Sequence, residues 1–191
     1  MRIGLDFDGT LMDIALAKQQ YVKATWDIDL TIAETGRAGA LPVLGEDRYL
    51  EMVVATHRTD AMLDTPPIPG ALEVTERLIE AHDVVVITAR LDEEIELARE
   101  WLRRHDLGGV EVVHTGWETK RAAWDRYATE IHLDDTPLVL TYHPDEMVPA
   151  LLHTPYNAAL ERCARTRSIE DWLAFERLVA TLESERVASS R

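Results

Sequence analysis

The chain has 191 residues, of which 46% are hydrophobic and 29% charged, a composition that excludes an intrinsically disordered protein and suits one core domain with a modest insertion. Its 20 basic and 35 acidic residues give a formal net charge of −15, which disfavours nucleic-acid polymers and anionic membranes as partners. The one cysteine, Cys163, excludes an intramolecular disulfide. The sequence has neither a signal-peptide pattern nor an apolar stretch of about 20 residues, so we expect a soluble, cytoplasmic protein.

In chain order, residues 2–6 predict a buried strand that ends in the tight loop Phe7–Thr10. The β-branched run Asp83–Thr88 predicts a second strand, and further strands are predicted at Val110–His114, Ile131–Asp134 and Val148–His153. Helical patterns cover Leu91–His105, Trp117–Thr129 and, more briefly, Thr136–His143. This alternation predicts an α/β fold with a doubly wound parallel sheet.

The interval between the first two strands is far longer than one crossover helix requires. Residues 12–26 and 46–63 have helical patterns, and we expect a loop at Glu34–Gly45 between them. We therefore assign residues 12–66 to a small helical cap, and residues 1–11 and 67–191 to the core. Residues 168–185 predict an amphipathic helix.

Polar residues follow the predicted strands at the edge where the carboxyl ends of a parallel sheet meet. Asp6 and Asp8 follow the first strand, Thr88 ends the second, and Lys120 begins the helix after the third. Asp134 and Asp135 follow the fourth strand. Converging carboxylates need a cation, and an all-oxygen ligand set that also takes a phosphate ester favours Mg²⁺.

These residues predict phosphate chemistry with a carboxylate nucleophile, because the motifs contain neither a Cys-His pair nor a Ser-His-Asp pattern. Asp6 would attack phosphorus, and Asp8 would protonate the leaving alcohol and later accept a proton from water. Thr88, Lys120 and the backbone amide of Ala89 would bind phosphate oxygens.

The string Asp6-Phe-Asp-Gly-Thr-Leu11 resembles the first signature of the haloacid dehalogenase (HAD) superfamily. Ile87-Thr88-Ala-Arg90 resembles the second, Lys120 the third, and Leu133-Asp134-Asp135 the fourth. The resemblance implies a Rossmann-like core with a cap after the first motif. It implies Asp6 as nucleophile and metal ligand, Asp8 as acid/base and as a metal ligand through its backbone carbonyl, Asp134 as metal ligand, and Asp135 as support through water.

The dehalogenases of this superfamily lack an aspartate at the position of Asp8, so the resemblance favours a phosphomonoesterase. The strings Thr154-Pro-Tyr-Asn157 and Asp171-Trp172 resemble the 5'-nucleotidase branch, which implies a (deoxy)nucleoside 5'-monophosphate as substrate. Phosphatases of sugar phosphates or other metabolites, and a non-catalytic phospholigand-binding protein, remain alternatives.

Further candidate substrate contacts are Arg90 and, in the cap, Trp26, Tyr49, His57 and Arg58. Arg90 could instead pair with Asp92 or Glu93, and the two aromatic residues could serve packing. We expect a small phosphate ester as the only class of partner, with no nucleic-acid polymer and no membrane. A monomer and a homodimer are both compatible with the sequence.

Overall fold

In the computed structural model, which describes residues 1–116 and 118–189, the core is one six-stranded sheet. Its strands are β1 (Arg2–Leu5), β2 (Asp83–Thr88), β3 (Glu111–His114), β4 (Ile131–Asp134), β5 (Val148–Leu152) and β6 (Arg167–Ile169). They lie in the order β3-β2-β1-β4-β5-β6, and every neighbouring pair is parallel. The predicted α/β fold with a parallel sheet is confirmed.

The helices, in chain order, are α1 (Ile14–Trp26), α2 (Arg37–Leu44), α3 (Glu46–His57), α4 (Ala71–Ala81), α5 (Ile95–Arg104), α6 (Arg121–Tyr127), α7 (Pro137–Leu140) and α8 (Trp172–Ser189). Two short 3-10 helices, Ile32–Glu34 and Asp60–Asp64, complete the segment between β1 and β2. No helix of the described residues is long and apolar enough to cross a membrane.

The sheet is covered on both faces, as a doubly wound fold requires. Helices α4, α5 and α8 pack on the face that contains Ile3, Leu5 and Val86. Helices α6 and α7 pack on the opposite face, which contains Val85 and Ile87. Because successive residues of a strand point to opposite faces, the continuous apolar run of β2 supplies both layers.

The strand register brings the carboxyl ends of the central strands together. Leu5 of β1 pairs with Val86 of β2 on one side and with Leu133 of β4 on the other. Strand order reverses at β1, and this is the position where open α/β sheets bind ligands. Asp6 therefore leaves the sheet between the ends of β2 and β4.

The loop after β1 is anchored from below by aromatic side chains. The Phe7 ring packs edge-to-face on Trp101 of α5, with the ring centroids 5.3 Å apart. Trp172, the first residue of α8, donates a hydrogen bond of 3.1 Å from Nε1 to the Thr10 carbonyl. These buried contacts hold the loop rigidly above the core.

Three details of the sequence-based assignment are wrong. The segment predicted as a loop at Glu34–Gly45 contains helix α2, whose buried Ala40 and Leu44 pack in a small cluster with Val22 and Met52. This burial outweighs the helix-breaking tendency of Gly39 and Pro42. Gly39 fits there because a Cβ would lie 2.7 Å from the Glu34 Cα.

The other two errors concern element ends. Residues 167–169 form β6, an additional edge strand beside β5, so the last helix begins at Trp172 rather than at Ser168. Helix α5 begins after Glu94, because the Glu94 carboxylate accepts a hydrogen bond from the Leu91 amide and closes a separate turn. Of the helix predicted at Trp117–Thr129, Trp117 lies outside the described residues, and the structure has only the shorter helix α6 at Arg121–Tyr127.

The chain enters and leaves the helical insertion side by side. The Asp13 amide donates to the Pro66 carbonyl at 2.9 Å, and the Ile68 amide donates to the Leu11 carbonyl at 2.8 Å. The insertion also has its own apolar cluster, in which α1, α2 and α3 meet. The division into a core of 1–11 and 67–191 and a cap of 12–66 stays a proposal, and this pairing supports it.

Candidate active site

Lys120 lies between the carboxylates of Asp6 and Asp134. Its Nζ is 2.5 Å from Asp6 Oδ1 and 2.7 Å from Asp134 Oδ2, and all three side chains are buried. Burial lowers the pKa of Lys120, but Asp134 and Asp6 together raise it above its ordinary value. The lysine is therefore a permanent positive charge on the floor of the site.

Asp134 is oriented from two further directions. Its Oδ1 accepts a 2.8 Å hydrogen bond from the Thr136 amide, and His132 Nε2 lies 3.3 Å from its Oδ2. Burial raises the pKa of Asp134, but Lys120 and His132 outweigh this and hold the pKa at about 2. Burial likewise lowers the pKa of His132 to about 4, so the imidazole is neutral at physiological pH.

Asp135 is held by residues that follow β5. The Tyr156 hydroxyl donates a 2.5 Å hydrogen bond to Asp135 Oδ2, and Asn157 Nδ2 donates to the Asp135 carbonyl at 2.7 Å. Gly9, with φ of +81°, passes so close that a Cβ would overlap both Asp135 Oδ2 and the Tyr156 hydroxyl. Only glycine combines that backbone conformation with this close approach.

Asp6, Asp134 and Asp135 form a cluster that fits a divalent cation. One carboxylate oxygen of each lies within 4.8 Å of the other two, and all three residues are buried. Burial and the negative charge of Asp134 raise the pKa of Asp135 to about 7. Burial and the neighbouring carboxylates also raise the pKa of Asp6 well above its ordinary value, although Lys120 lowers it. A hard cation such as Mg²⁺ would neutralise the excess negative charge of these oxygen ligands.

The side chain of Asp8 pairs with Arg90. Arg90 Nε and Nη2 donate to the two carboxylate oxygens of Asp8 at 2.8 and 2.7 Å, and the guanidinium also packs over the Phe7 ring. Burial raises the pKa of Asp8, but the arginine outweighs it and lowers the pKa to about 2. Asp8 is therefore ionised in this arrangement.

Arg90 also joins the core to the end of α3. Its Nη1 donates to the His57 carbonyl at 3.1 Å, and nearby Arg58 donates from Nε to the Glu94 carboxylate at 2.7 Å. Of the alternatives considered for Arg90, pairing with an acid holds, but the acid is Asp8 and not a residue of its own turn.

A cavity of about 240 Å³, here called the catalytic cavity, opens above the cluster. Its walls include Asp6, Asp8, Thr88, Ala89, Arg90, Lys120 and Asp134. Thr88 ends β2 with its side chain buried, and its Oγ1 accepts a hydrogen bond of 3.3 Å from the Arg90 amide. All of the motif residues that the sequence singled out, apart from Asp135, thus line one cavity.

A larger cavity of about 620 Å³, here called the vestibule, adjoins the first. The two share Asp8, His57 and Thr136 in their walls, so they lie side by side. The vestibule lies between the helical insertion and the core: α1 and α2 supply one side, and the segments after β4 and β5 supply the other. Asp135 lines the vestibule.

Trp26 and Tyr49 are not brought to the site. Both pack against the apolar cluster of the insertion, where Trp26 contacts Tyr21 edge-to-face and Arg37 lies over the Tyr49 ring. Neither residue lines the catalytic cavity or the vestibule. Of the two interpretations offered for them, packing is the one that the geometry supports.

Sequence reasoning missed the supporting roles of His132 and Tyr156. His132 precedes Asp134 by two residues, a spacing that places both side chains on the same side of a strand and could have identified it. Tyr156 and Asn157 belong to the string that resembles the 5'-nucleotidase branch. Nothing in their spacing predicts contact with Asp135.

Neither a family model nor a curated protein matches the chain. Among solved structures, its fold is similar to that of a HAD family hydrolase from Deinococcus radiodurans with bound phosphate and sodium, at 17% identity and a TM-score of 0.66, covering 94% of this chain and 95% of that one. The HAD-type protein YfnB from Bacillus subtilis, bound to magnesium, is 12% identical with a TM-score of 0.59, and the match covers 93% of this chain and 97% of that one. A dehalogenase with an intermediate complex is 12% identical with a TM-score of 0.61, and the match covers 93% of this chain and 96% of that one.

At these identities the comparisons concern the fold. The chain has the architecture of the haloacid dehalogenase-like hydrolases along nearly its whole length. The similar structures include both a phosphate-bound hydrolase and a dehalogenase, so the reaction must be argued from this chain's own residues.

Proposed function

We propose that this protein is a magnesium-dependent phosphomonoesterase that acts through an aspartyl-phosphate on Asp6. The observation that carries the proposal is the position of the Asp6 carboxylate, which lies in the wall of the catalytic cavity beside Lys120, Thr88 and Asp134. A nucleophile, a fixed cation and a hydroxyl donor facing one small space are the groups that phosphoryl transfer requires. The similar hydrolase with bound phosphate adds support.

In the first step, an oxygen of Asp6 attacks phosphorus and the bond from phosphorus to the ester oxygen breaks. Lys120 and the Thr88 hydroxyl bind the non-bridging phosphate oxygens and stabilise their charge. Asp6, Asp134 and the Asp8 carbonyl, with Asp135 in support, would hold Mg²⁺, which supplies additional positive charge for the phosphoryl group. The Ala89 amide is the proposed backbone donor.

Asp8 is the proposed acid and base. It donates a proton to the departing alcohol oxygen and then accepts one from the water that attacks the aspartyl-phosphate, so Asp6 is regenerated and phosphate leaves. Because Arg90 holds Asp8 in its ionised form, the acid step requires the carboxyl group to turn away from the guanidinium, take up a proton from solvent and face the substrate.

For the substrate, we propose a (deoxy)nucleoside 5'-monophosphate first, with a sugar phosphate or another phosphorylated metabolite as the alternative. The vestibule supports a substrate with a sizeable organic part, since its volume of about 620 Å³ lies within the range of small-molecule sites. Its walls combine apolar residues such as Ile14 and Leu160 with the Tyr156 ring. A panel of nucleotides and sugar phosphates would decide between the two classes.

The test of the chemistry is hydrolysis of p-nitrophenyl phosphate with Mg²⁺ by the wild-type protein and by Asp6→Asn. This leaving group needs little protonation, so its departure in the first step does not depend on Asp8 as an acid. We expect the substitution to lower kcat by about 1,000-fold or more. The matched control is Asp145→Asn, an exposed carboxylate outside both cavities, which should leave kcat unchanged. Equal activity in wild type and Asp6→Asn would overturn the proposal.

A further inference from the structure

The vestibule contains a lysine that the catalytic proposal does not use. Ile14, Ala15 and Lys18 lie on one face of α1 at helical spacing, and all three line the vestibule. Lys18 is partly buried, and in the described part of the chain it makes no hydrogen bond or ion pair. Burial lowers its pKa, with only longer-range attraction from Asp8 and Asp135 opposing this effect.

The other buried cations of the site are already matched with carboxylates. Lys120 lies against Asp6 and Asp134, and Arg90 lies against Asp8. A cation that is partly removed from water without an ion-pair partner costs free energy, so the position of Lys18 favours an anion in the space in front of it.

A second cation borders the same space. Arg37, in the first turn of α2, is exposed at the edge of the vestibule, and its guanidinium lies over the Tyr49 ring with no carboxylate at ion-pair distance among the described residues. His57 adds no positive charge, since burial lowers its pKa to about 4. In a chain with a net charge of −15, two cations without ion-pair partners at one cavity form a local site for an anion.

The carboxylates that also line the vestibule are already engaged. The charge of Asp8 is neutralised by its bidentate ion pair with Arg90. Asp135 accepts a hydrogen bond from Tyr156 and belongs to the cluster of three carboxylates that fits a divalent cation. Asp8 borders the catalytic cavity as well as the vestibule. Arg37 and Lys18 belong to the helical wall of the vestibule.

We propose that the substrate carries a second acidic group, a carboxylate or a second phosphate, and that Lys18 binds it in the vestibule with Arg37 beside it. This inference rests on the proposed phosphomonoesterase chemistry and narrows its substrate. It favours a nucleotide with an additional acidic group, or a phosphorylated organic acid, over a simple nucleoside 5'-monophosphate, whose single phosphate is the one that is removed. Lys18 is thus a specificity-determining residue that lies apart from the reacting atoms.

The test compares phosphate esters that differ only in the second charge. One pair is 3-phosphoglycerate against glycerol 3-phosphate, and a longer pair is adenosine 3',5'-bisphosphate against adenosine 5'-monophosphate. KM and kcat are measured for the wild type, Lys18→Met and Lys18→Arg. The matched control is Lys23→Met, which removes the same charge from the same helix but from a surface ion pair with Asp27 and Asp29.

We expect the wild type to prefer the doubly acidic member of at least one pair. Lys18→Met should raise KM for that compound by about 10- to 100-fold, the loss expected for one charge-assisted contact, with little change for its partner compound. Lys18→Arg should restore part of the difference, and Lys23→Met should have no effect on it. An equal effect of Lys18→Met on both members of each pair would overturn the inference and identify Lys18 as a counter-ion of Asp8 and Asp135.

A binding measurement separates this inference from the proposed chemistry. Calorimetric titration of Asp6→Asn, alone and combined with Lys18→Met, with the same four compounds requires no turnover. Selective loss of affinity for the doubly acidic compounds in the double variant supports the inference even if the wild type hydrolyses nothing. Equal affinity in the two proteins would overturn it, whatever the activity of the wild type.

Discussion

Arg90 and Asp8 form a bidentate ion pair, with Nε and Nη2 of the arginine 2.8 and 2.7 Å from the two carboxylate oxygens, although 82 residues separate them in the chain. The arginine side chain is 2% exposed and the aspartate side chain 20%. The pair ties the loop after β1 to the loop after β2, and a third donor of the same guanidinium reaches the His57 carbonyl at the end of α3.

Replacing Arg90 by Met should therefore destabilise the fold. Removing one partner of a buried ion pair leaves the other charge without compensation, and we expect the free energy of unfolding at pH 7 to fall by about 3–5 kcal/mol. Urea denaturation measures this. The control Arg99→Met removes an exposed ion pair with Glu96 on α5 and should cost about 1 kcal/mol or less.

The difference in the free energy of unfolding between wild type and Arg90→Met should depend on pH, and the sign of that dependence follows from the pKa of Asp8. Its folded pKa of about 2 lies below the value of about 3.9 expected in the unfolded chain. The stabilisation is therefore fully present above about pH 4 and is lost as the pH falls toward about 2. The difference in stability between wild type and Arg90→Met should narrow over that interval; a constant difference would contradict the assignment of the pair.

Magnesium should stabilise the protein more strongly at pH 8 than at pH 6. Asp135, with a pKa of about 7, and Asp6, whose pKa is also raised, make the cation-free protein less stable as the pH rises toward 7, because each carboxylate then ionises among other negative charges. A bound cation reverses that cost and competes with protons for the same oxygens.

The measurement for this prediction is the shift of Tm on adding MgCl₂ at the two pH values. Asp134→Asn should abolish the shift, since it removes one carboxylate of the cluster, whereas Asp145→Asn at an exposed position should retain it. A shift of the same size in Asp134→Asn would place the cation elsewhere.

Gly9→Ala should impair both stability and activity, and Gly45→Ala separates the two causes. Both glycines have positive φ, of +81° and +77°, so alanine at either position costs about 1–3 kcal/mol of backbone strain. A Cβ at Gly45 meets nothing within 4 Å, whereas one at Gly9 overlaps Asp135 and Tyr156. We expect Gly45→Ala to retain full kcat in the p-nitrophenyl phosphate assay and Gly9→Ala to lose most of it; equal kcat values would refute a steric role for Gly9.

Tyr156 should affect the binding of Mg²⁺. Tyr156→Phe keeps the ring but removes the hydrogen bond to Asp135, and we expect the affinity for Mg²⁺ to fall by about 10-fold as a consequence. Titration with Mg²⁺ measures this, and an unchanged affinity would contradict the role of the hydrogen bond.

Tyr49 should affect stability only. Tyr49→Leu alters packing within the insertion and should lower the free energy of unfolding by about 1–2 kcal/mol without changing KM. Urea denaturation and steady-state kinetics test this, and a raised KM in Tyr49→Leu would restore that residue as a substrate contact.

The sequence alone determined the parallel sheet and the convergence of Asp6, Thr88, Lys120 and Asp134. Both follow from local rules: apolar runs of strand length form buried strands, and residues at the carboxyl ends of parallel strands meet at one edge. Each of these side chains needs only its own strand or the start of its own helix to be placed correctly.

Only the tertiary structure decided which partners those groups have. Asp8 pairs with Arg90, and the Tyr156 hydroxyl donates a hydrogen bond to Asp135. Lys18 lines the vestibule without an ion-pair partner among the described residues. These contacts arise because segments far apart in sequence pack against one another in a way that no local pattern encodes. Helix α2 and the packing of Trp26 and Tyr49 have the same origin, since burial against α1 and α3 outweighs the intrinsic preferences of Gly39 and Pro42. Local sequence patterns thus predicted which polar groups meet at the floor of the candidate site, and tertiary packing determined the walls of the two cavities above it.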